Sequence, residues 1–383
     1  MIKKPFLIIL KIIIFFFSFP IIFLFKKKFK KLILIDMTRI GHMCPAMDLF
    51  FHFYKTLIKK KSVMVFFLLP ICNSFLFNIF KNKLNNYGIH YKNYNSFLFA
   101  INRSYKMVFK EDLICKISDE IPLSYWKIFF EKKSNFKIKK NKSIELKFGI
   151  KNSKWICIHN RDSRYLQQYS QNFSYHNHRD FLCKDLLKAA NWFTKKGFYV
   201  IRMGNKSNQK LISKNSKIID YVNSDQRSDF FDIYFLSRCC FYFGGTSGIA
   251  TVPLIFRKPK FFINVIPLQS HFSYMRKNPA IFKKLKKKNK ILSLNKILRD
   301  GFYNENHSGK YIKKKLKIID NSDIEILAFA KEAYLRYIRK WKSDTKYLKK
   351  KKIFENILSK HKETKNEYFK NPIGRNFLLK MKL

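Results

Sequence analysis

The sequence predicts an α/β protein with two doubly wound units, each built on a parallel sheet. Short apolar runs, typical of buried strands, alternate twice along the chain with segments of helical periodicity. In the first series, a strand at Leu32–Asp36 precedes a helix that opens at Pro45 and a strand at Ser62–Pro70. The second series starts with a strand at Trp155 and ends with another at Phe261–Pro267. Because a parallel pair needs a crossover connection, this alternation implies parallel sheets.

The remaining elements are assigned by the same patterns. Asn95–Asn102 looks strand-like, and the surroundings of Trp126 look helical. In the second series we expect strands at 198–204, 217–222 and 240–243 and helices at 179–195, 228–237 and 246–256. A long helix follows with Asn321, Ser322 or Asp323 as its N-cap, and then a Lys-rich tail that is either helical or disordered. The predicted division is a hydrophobic segment at 1–30, a first unit at 31–145, a second unit at 146–320 and a C-terminal part at 321–383.

The composition restricts the partners. A formal net charge of +54 over 383 residues suggests an anionic membrane surface or a nucleic acid. An AT-rich coding genome also explains much of this charge, because Lys, Ile, Asn, Phe and Tyr are abundant together. No aromatic-interleaved RNA motif or zinc-knuckle spacing is present, so nucleic acid is not an expected partner. The seven cysteines form no CxxC pair and lie mostly in apolar segments, which indicates reduced thiols in a cytoplasmic chain.

The N-terminus carries an apolar segment, Phe6–Phe25, with lysines on both flanks. About 20 such residues are just enough to span a hydrocarbon core. The segment either spans the membrane or enters the cytoplasmic leaflet and returns at Pro20. Basic residues on both sides favour the second alternative, because both ends then stay near anionic head groups. An ordinary buried helix is the third alternative.

A glycine-rich segment, Gly244–Gly248, follows a buried strand and opens a helix. Ligands of open α/β sheets lie beyond the carboxyl ends of the strands, and a helix N-terminus suits a phosphate. We therefore expect a diphosphate on Gly245, Thr246, Ser247 and Gly248. The alternative is a helix capped by Ser247 without any ligand.

Charged residues follow the other strands of the second unit. Arg161 comes after the first strand, Arg202 after the second, and Asp229 and Asp232 after the third. Arginines suit a diphosphate and a carboxylate suits a ribose, although separate surface salt bridges are an alternative. The pair His176 and His178 has no neighbouring ligand set, so no metal site is expected.

In the first unit, Arg39 and His42 follow the first strand. A histidine there can take a proton from a sugar hydroxyl near neutral pH. Asp36 and Asp48 are competing candidates for that base, and a histidine that only caps or packs is the further alternative.

Several motifs, taken in order, resemble a family of bacterial glycosyltransferases found with surface-polysaccharide synthesis. They are RIGH at 39–42, HNRDSRY at 159–165, GFYVIRMG at 197–204, the stretch from KIID to SRC at 217–239, and GGTSG with the following VP and IFRKP at 244–259. The resemblance covers about Lys31 to Asp323. Heptosyltransferases are similar after the first strand but carry Asp where this chain has His42. Fucosyltransferases that use GDP-fucose carry a His-x-Arg element similar to His159–Arg161, with its arginine near the donor phosphates.

The resemblance implies the GT-B fold, in which two Rossmann-type domains face a cleft, with a nucleotide-sugar donor on the second domain. The donor would be GDP- or UDP-linked, and GT-B enzymes usually need no metal and no further cofactor. His42 and Arg161 would then be the catalytic pair.

The expected function is sugar transfer to a surface glycan or a lipid-linked acceptor, at the cytoplasmic face of the bacterial inner membrane. One rival is another transferase on the same architecture, acting on pyruvyl or phosphosugar groups. The other rival is a non-catalytic basic protein that binds membrane or RNA.

Overall fold

The structure, a computed structural model, describes residues 4–120, 128–151, 154–168, 172–270, 277–362, 364 and 371–383. The chain divides into two compact units, the first made of 1–128 with 132–136 and the second of 129–131 with 137–383. The surroundings of Trp126, where we expected a helix, lie outside the described residues. Within those ranges, no helix is both long enough and apolar enough to cross a bilayer.

The first unit alternates strands and helices. Its elements are α1 (Lys4–Lys28), β1 (Lys31–Asp36), α2 (Ile40–Phe53), α3 (Lys55–Lys59), β2 (Val63–Leu68), α4 (Ser74–Asn86), β3 (His90–Asn93), α5 (Ser96–Phe109), β4 (Cys115–Lys116) and α6 (Ile117–Glu120), with α7 (Ile128–Glu131) at the junction. The strands form one parallel sheet in the order β3-β2-β1-β4. β1 and β2 are buried over most of their length, which explains their almost uninterrupted apolar sequences.

The strand expected at Asn95–Asn102 is wrong, because this segment opens helix α5. The Asn95 side chain caps the helix by accepting a hydrogen bond from the Leu98 backbone N–H at 2.9 Å. Leu98, Ile101 and Tyr105 are buried on one side of α5, and this helical spacing becomes visible only over the full fourteen residues.

Helix α2 begins at Ile40, one turn before the predicted start at Pro45. Pro45 is tolerated inside the helix, although its ring nitrogen cannot donate the backbone hydrogen bond that its position would make. As a result His42 lies on the first turn of α2 and not in a loop, and Arg39 is the N-cap residue.

The second unit begins after the junction and ends at the last residue. Its helices are α8 (Lys142–Lys147), α9 (Leu187–Lys195), α10 (Asp229–Arg238), α11 (Thr251–Ile255), α12 (Leu294–Arg299), α13 (Ser308–Lys313), α14 (Asp323–Tyr337), α15 (Thr345–Lys360) and α16 (Arg375–Lys380). Its strands are β5 (Trp155–His159), β6 (Tyr199–Arg202), β7 (Ile218–Ile219), β8 (Tyr242–Gly244), β9 (Lys260–Val265), β10 (Ala280–Phe282), β11 (Lys284–Lys287), β12 (Lys290–Ile291) and β13 (Leu316–Ile319). Short 3₁₀ helices occupy 163–168, 174–179, 183–186, 221–223 and 248–250.

Six strands of this unit form a parallel sheet in the order β10-β9-β8-β5-β6-β7. Strands β12, β11 and β13 form a small antiparallel sheet. With a parallel sheet and alternating helices in each unit, the predicted α/β class is confirmed.

Three elements of the second unit differ from the predictions. The helix expected at 246–256 begins with a 3₁₀ turn at Gly248–Ala250 and becomes α11 only at Thr251. The helix expected from Arg179 starts as α9 at Leu187, because a 3₁₀ turn at Cys183–Leu186 precedes it. The expected strand at 217–222 shortens to β7, since the chain turns into a 3₁₀ helix at Tyr221.

The described residues of the C-terminal part form three helices, α14, α15 and α16, with short irregular connections. Ser322 caps α14 in a capping box with Glu325, which confirms one of the three predicted N-caps. The Lys-rich tail forms α15, capped by the Asp344 carboxylate and packed through buried Tyr347 and Phe354. The tail therefore belongs to the fold of the second unit over these residues.

Candidate functional site

Each parallel sheet has a point at which the strand order reverses. In the first sheet this point lies between β1 and its neighbour β4, and in the second between β5 and its neighbour β8. Loops that leave such neighbours diverge to opposite sides, and the resulting crevice at the carboxyl ends is where open α/β sheets bind ligands. Both groups of predicted site residues begin at these strand ends, at Asp36 in the first unit and at His159 and Gly244 in the second.

In the first unit, a carboxylate and an imidazole meet at the reversal point. The Nδ1 atom of His42 lies 2.9 Å from Oδ2 of Asp36, the last residue of β1. Lys116, at the end of β4, places its ammonium group 3.1 Å from the same oxygen. Asp36 and His42, rival candidates for the base in the sequence, form one hydrogen-bonded pair in the structure.

The Asp36 carboxylate is fixed on its other side as well. Its Oδ1 atom accepts hydrogen bonds from the backbone N–H and the hydroxyl of Thr38, at 3.0 and 2.6 Å. Burial opposes the ionisation of Asp36, but the hydrogen bonds from His42 and Thr38, together with the charge of Lys116, outweigh it and hold the pKa far below its usual range. Asp36 is therefore a permanent anion and a poor proton acceptor.

The charge on Asp36 determines the tautomer of His42. An ionised carboxylate can only accept hydrogen bonds, so Nδ1 of His42 must carry the proton that it donates to Oδ2. The lone pair of the neutral ring is then on Nε2. The His42 side chain remains 40% exposed, so the ring is accessible to a substrate.

Asp48, the other rival base, has a structural role. Its side chain is completely buried on α2. It accepts hydrogen bonds from the backbone N–H and the side-chain amide of Asn135, at 3.2 and 3.0 Å. These bonds hold the end of the first unit against α2 and leave the carboxylate remote from solvent.

In the second unit, Arg161 leaves the reversal point after β5 and is buried. Its Nη1 group forms an ion pair with Asp180. Its Nη2 group is shielded from solvent and has no hydrogen-bond partner among the described residues. A buried N–H group without a partner costs about 1–3 kcal/mol, so a ligand oxygen at this position would be stabilising.

Other titratable groups surround Arg161. Burial raises the pKa of Asp180 to about 6, although Arg161 and Lys283 act in the opposite direction. Lys283 lies just beyond β10 and contacts the Asp180 carbonyl oxygen at 2.5 Å and the Asp320 carboxylate at 2.7 Å. Burial, reinforced by Arg179, lowers the pKa of His178 to about 4. The sequence did not predict Lys283, because this residue belongs to the lysine-rich run 283–288, in which nothing distinguishes it from its neighbours. His178 was expected only as part of a polar loop.

His159, the last residue of β5, is also neutral. Burial lowers its pKa to about 4, against the effect of a hydrogen bond to the Met203 carbonyl oxygen. Nδ1 makes that bond at 2.8 Å, and Nε2 has no partner among the described residues. The ring is therefore a buried acceptor at the reversal point.

Arg202, predicted to bind the donor, is instead saturated by protein groups. It is 1% exposed. Its guanidinium donates to Asn160 Oδ1 at 2.8 Å, Asp220 Oδ1 at 2.8 Å, Ser207 Oγ at 2.7 Å and the Gln209 carbonyl oxygen at 2.9 Å. Arg202 thus fastens the loops after β5 and β6 together and has little capacity left for a ligand.

The glycines of the GGTSG segment are explained first by packing. A Cβ atom on Gly244 would lie 2.3 Å from the His159 carbonyl oxygen, and one on Gly245 would lie 2.5 Å from the Phe181 ring. The Gly245 N–H also donates to that carbonyl oxygen at 2.9 Å. These contacts bring the loops after β5 and β8 together and do not by themselves require a ligand.

The rest of the segment forms a short cap. Thr246 is buried, and Ser247 precedes the 3₁₀ turn that leads into α11. The Ser247 hydroxyl makes no capping hydrogen bond, so the alternative of a simple Ser-capped helix is not what the structure shows. Gly248 lies in that turn, where its carbonyl oxygen accepts a 2.6 Å hydrogen bond from the Thr251 hydroxyl.

Asp229 and Asp232 both lie in the first turn of α10, which the Ser228 side chain caps. Asp232 pairs with Arg227 at 2.6 Å. Burial raises the Asp232 pKa to about 6 in spite of that arginine. Asp229 and Asp232 are both partly buried.

Over the residues described, no cluster of three His, Cys, Asp or Glu side chains has the geometry to hold a metal ion. None of the seven cysteines, all of which lie in the described ranges, forms a disulfide.

Comparisons with known proteins give distant similarities. No protein-family model matches the chain, and no curated protein matches it. One similar solved structure is the family 9 glycosyl transferase from Veillonella parvula DSM 2008, with 11% sequence identity, a TM-score of 0.40 and alignment over 80% of this chain and 98% of that one. Another is the iron-containing dodecameric glycosyltransferase TibC from enterotoxigenic E. coli H10407, with 9% identity, a TM-score of 0.29 and coverage of 62% and 60%.

Proposed function

We propose that the chain is a glycosyltransferase that moves a sugar from a GDP- or UDP-linked donor to a hydroxyl of a surface glycan or a lipid-linked acceptor. The observation that carries the proposal is the pair of sites at the two reversal points: an oriented base in the first unit and a buried arginine in the second. Transfer to a hydroxyl needs a group that takes a proton and a group that stabilises a leaving anion. The motif resemblance selects glycosyl transfer among the reactions that use such groups.

In the proposed reaction, His42 is the base. The acceptor oxygen forms a bond to the anomeric carbon of the donor while the bond from that carbon to the diphosphate oxygen breaks. The hydroxyl proton passes to Nε2 of His42, and the nucleoside diphosphate leaves. Asp36 holds the ring in the required tautomer and stabilises the imidazolium that forms, through the 2.9 Å contact at Nδ1.

Arg161 is the proposed partner of the diphosphate. Its buried Nη2 group has donors to offer, and a charge-assisted hydrogen bond contributes about 1.5–3 kcal/mol. Thr246, Ser247 and Gly248 extend this binding surface from the neighbouring β8, with Asp229 assigned to the ribose. Arg39, the N-cap residue of α2, is assigned to the substrate beside His42.

The test is donor binding by thermal shift and calorimetry, with a panel of GDP-, UDP- and CMP-sugars. Arg161→Ala should weaken binding of the preferred donor ten-fold or more, whereas Arg299→Ala, which removes an arginine that is 74% exposed, should leave it unchanged. Undiminished donor binding in a folded Arg161→Ala protein would contradict the assignment.

The panel also separates the rivals. Protection by phosphoenolpyruvate or a sugar phosphate, with none from any nucleotide sugar, would favour the other transferase class. A protein that binds no small molecule but binds anionic polymers in a salt-sensitive way would fit the non-catalytic alternative.

The proposed location is the cytoplasmic face of the bacterial inner membrane, with helix α1 in contact with the lipid. Several large apolar side chains of this helix are exposed, among them Phe17 and Phe23, and the Lys26–Lys28 run follows them.

A further inference from the structure

Helix α1 is built into the first unit by its C-terminal half. Ile22 of α1 and Phe29, the residue that follows this helix, are buried in one core cluster with Leu98 and Ile101 of helix α5. The Lys26 ammonium group donates a hydrogen bond to the Tyr105 hydroxyl, also on α5. The two helices therefore pack directly against each other, and α1 is not a separate tether.

Helix α5 itself carries large apolar side chains on its surface. Phe97 and Phe99 are each 54% exposed, and Val108 is 45% exposed. On α1, Phe17 is 82% and Leu24 63% exposed. Exposed apolar side chains of this size, concentrated on two helices in contact, are characteristic of a surface that meets a partner.

The charge around these helices indicates which partner. The segments 26–30 and 96–112 contain seven basic side chains and two carboxylates, Glu111 and Asp112. Of the two carboxylates, Asp112 pairs with Lys106 at 2.7 Å and Glu111 accepts a hydrogen bond from Tyr105. The remaining positive charge complements an anionic surface, and aromatic side chains beside lysines and arginines are typical of helices that lie in a lipid interface.

We infer that α5 is a second lipid-contacting element, so that α1 and α5 together form one surface that docks the first unit on an anionic bilayer. This extends the proposed membrane association and does not depend on glycosyl transfer. Since α1 and α5 pack against each other, one bilayer can contact exposed side chains of both helices. The docked unit is then held by two elements and cannot pivot about a single one.

The test uses the purified full-length chain and vesicles of phosphatidylcholine, alone or with phosphatidylglycerol. Phe97→Ser combined with Phe99→Ser should lower the partition coefficient for anionic vesicles about ten-fold or more. The matched control, Ile212→Ser with Ile312→Ser, removes two side chains of the second unit that are 82% and 74% exposed and should change binding less than two-fold. Equal binding by the α5 variant and the control would overturn the inference and leave α1 as the contact by itself.

A second measurement covers the case in which the double serine variant does not fold. Phe99→Trp keeps an aromatic side chain, and its fluorescence should be quenched by lipids brominated on the acyl chain beyond the quenching seen in the parent. Ile312→Trp is the control and should show no additional quenching. If Phe99→Trp and Ile312→Trp behave alike, α5 does not enter the bilayer. Sugar transfer to a water-soluble acceptor should be unaffected by these changes, so a failure here is distinguishable from a failure of the proposed function.

Discussion

At the residue scale, the proposed role of His42 depends on Asp36. A histidine is a better general base when its ring is held in one tautomer, and the hydrogen bond to Asp36 holds the His42 ring in this way. His42→Ala should reduce turnover at least a hundred-fold with donor affinity nearly intact, because general-base help contributes about 10²–10⁴ in rate. Asp36→Asn should reduce turnover at least ten-fold and change the acid limb of the pH–rate profile, since a neutral amide no longer selects the tautomer. Steady-state kinetics over pH, with circular dichroism as a check on folding, measure both.

The control for the histidine is on the same helix. His52 lies 3.8 Å from buried Asp48, so His52→Ala removes an imidazole near a carboxylate without touching the proposed site. Its turnover should stay within a few-fold of the parent. If His42→Ala behaves like His52→Ala, the base is another group.

Lys260 presents a different residue-scale question, the cost of burying a charge. Burial, together with repulsion by Arg257, lowers the pKa of this lysine to about 7. In the unfolded chain the pKa of a lysine is about 10.4. Between pH 7 and that value the unfolded chain binds more protons than the folded one, so the free energy of unfolding rises with pH. Lys260→Met should therefore stabilise the protein at pH 7 by about 1–3 kcal/mol and by less at pH 10.

Urea unfolding at the two pH values measures this effect. Lys287→Met, at an exposed position of β11, is the control and should change stability by less than about 0.5 kcal/mol at either pH. A loss of stability in Lys260→Met would mean that the ammonium group has a stabilising role.

At the element scale, the predictions were correct for strands and helix ends that are determined by residues adjacent in the sequence. The carboxyl ends of β1 and β5 follow from apolar runs that stop at polar residues, and that of β8 from a run that stops at two glycines. Ser322 is recognisable as a cap because Glu325 completes the capping box. The start of helix α5 was predicted as a strand because the apolar pattern of Asn95–Asn102 fits a strand and a helix equally well. The helix is distinguished by the side chains that it buries against α1 and β2.

The candidate site was predictable only in part for the same reason. His42 and Arg161 stand at strand ends that the sequence shows. That Lys116 lies beside Asp36 depends on β4 pairing with β1, a contact over 80 positions that no local pattern encodes. Likewise, Arg202 looks identical in sequence to a ligand-binding arginine until its four protein partners are seen.

Two residues of the GGTSG segment are expected to have different roles, Gly245 in packing and Ser247 in donor binding. Gly245→Ala would place a methyl group 2.5 Å from the Phe181 ring, so we expect a destabilisation of about 1–3 kcal/mol from overpacking. Ser247→Ala should leave stability within about 0.5 kcal/mol and weaken donor binding, because its hydroxyl is assigned to the diphosphate. Thermal unfolding and donor titration of both variants measure the contrast. A Gly245→Ala protein of normal stability that binds donor poorly would show that the glycine serves the ligand and not the Phe181 contact.

At the scale of the whole molecule, helix α1 joins folding to the proposed membrane association, and two truncations separate these roles. Deleting residues 1–19 removes exposed Phe16 and Phe17 but keeps Ile22 and Phe29 in their core cluster. This truncation should lower binding to anionic vesicles at least ten-fold and leave the midpoint of thermal unfolding almost unchanged.

Deleting residues 1–30 should have a further effect, because it also removes Ile22 and Phe29. Burying one such side chain contributes about 1.5–3 kcal/mol, so their loss should destabilise the first unit by about 3–6 kcal/mol. If the shorter deletion lowers the unfolding midpoint as much as the longer one, the N-terminal half of α1 belongs to the folded core. If the shorter deletion leaves vesicle binding intact, the lipid contact lies outside residues 1–19, in the rest of α1 and in α5. The deletion of 1–30 disturbs the core and the lipid contact together. Only the deletion of 1–19 can therefore test whether the N-terminal half of α1 holds the protein at the membrane.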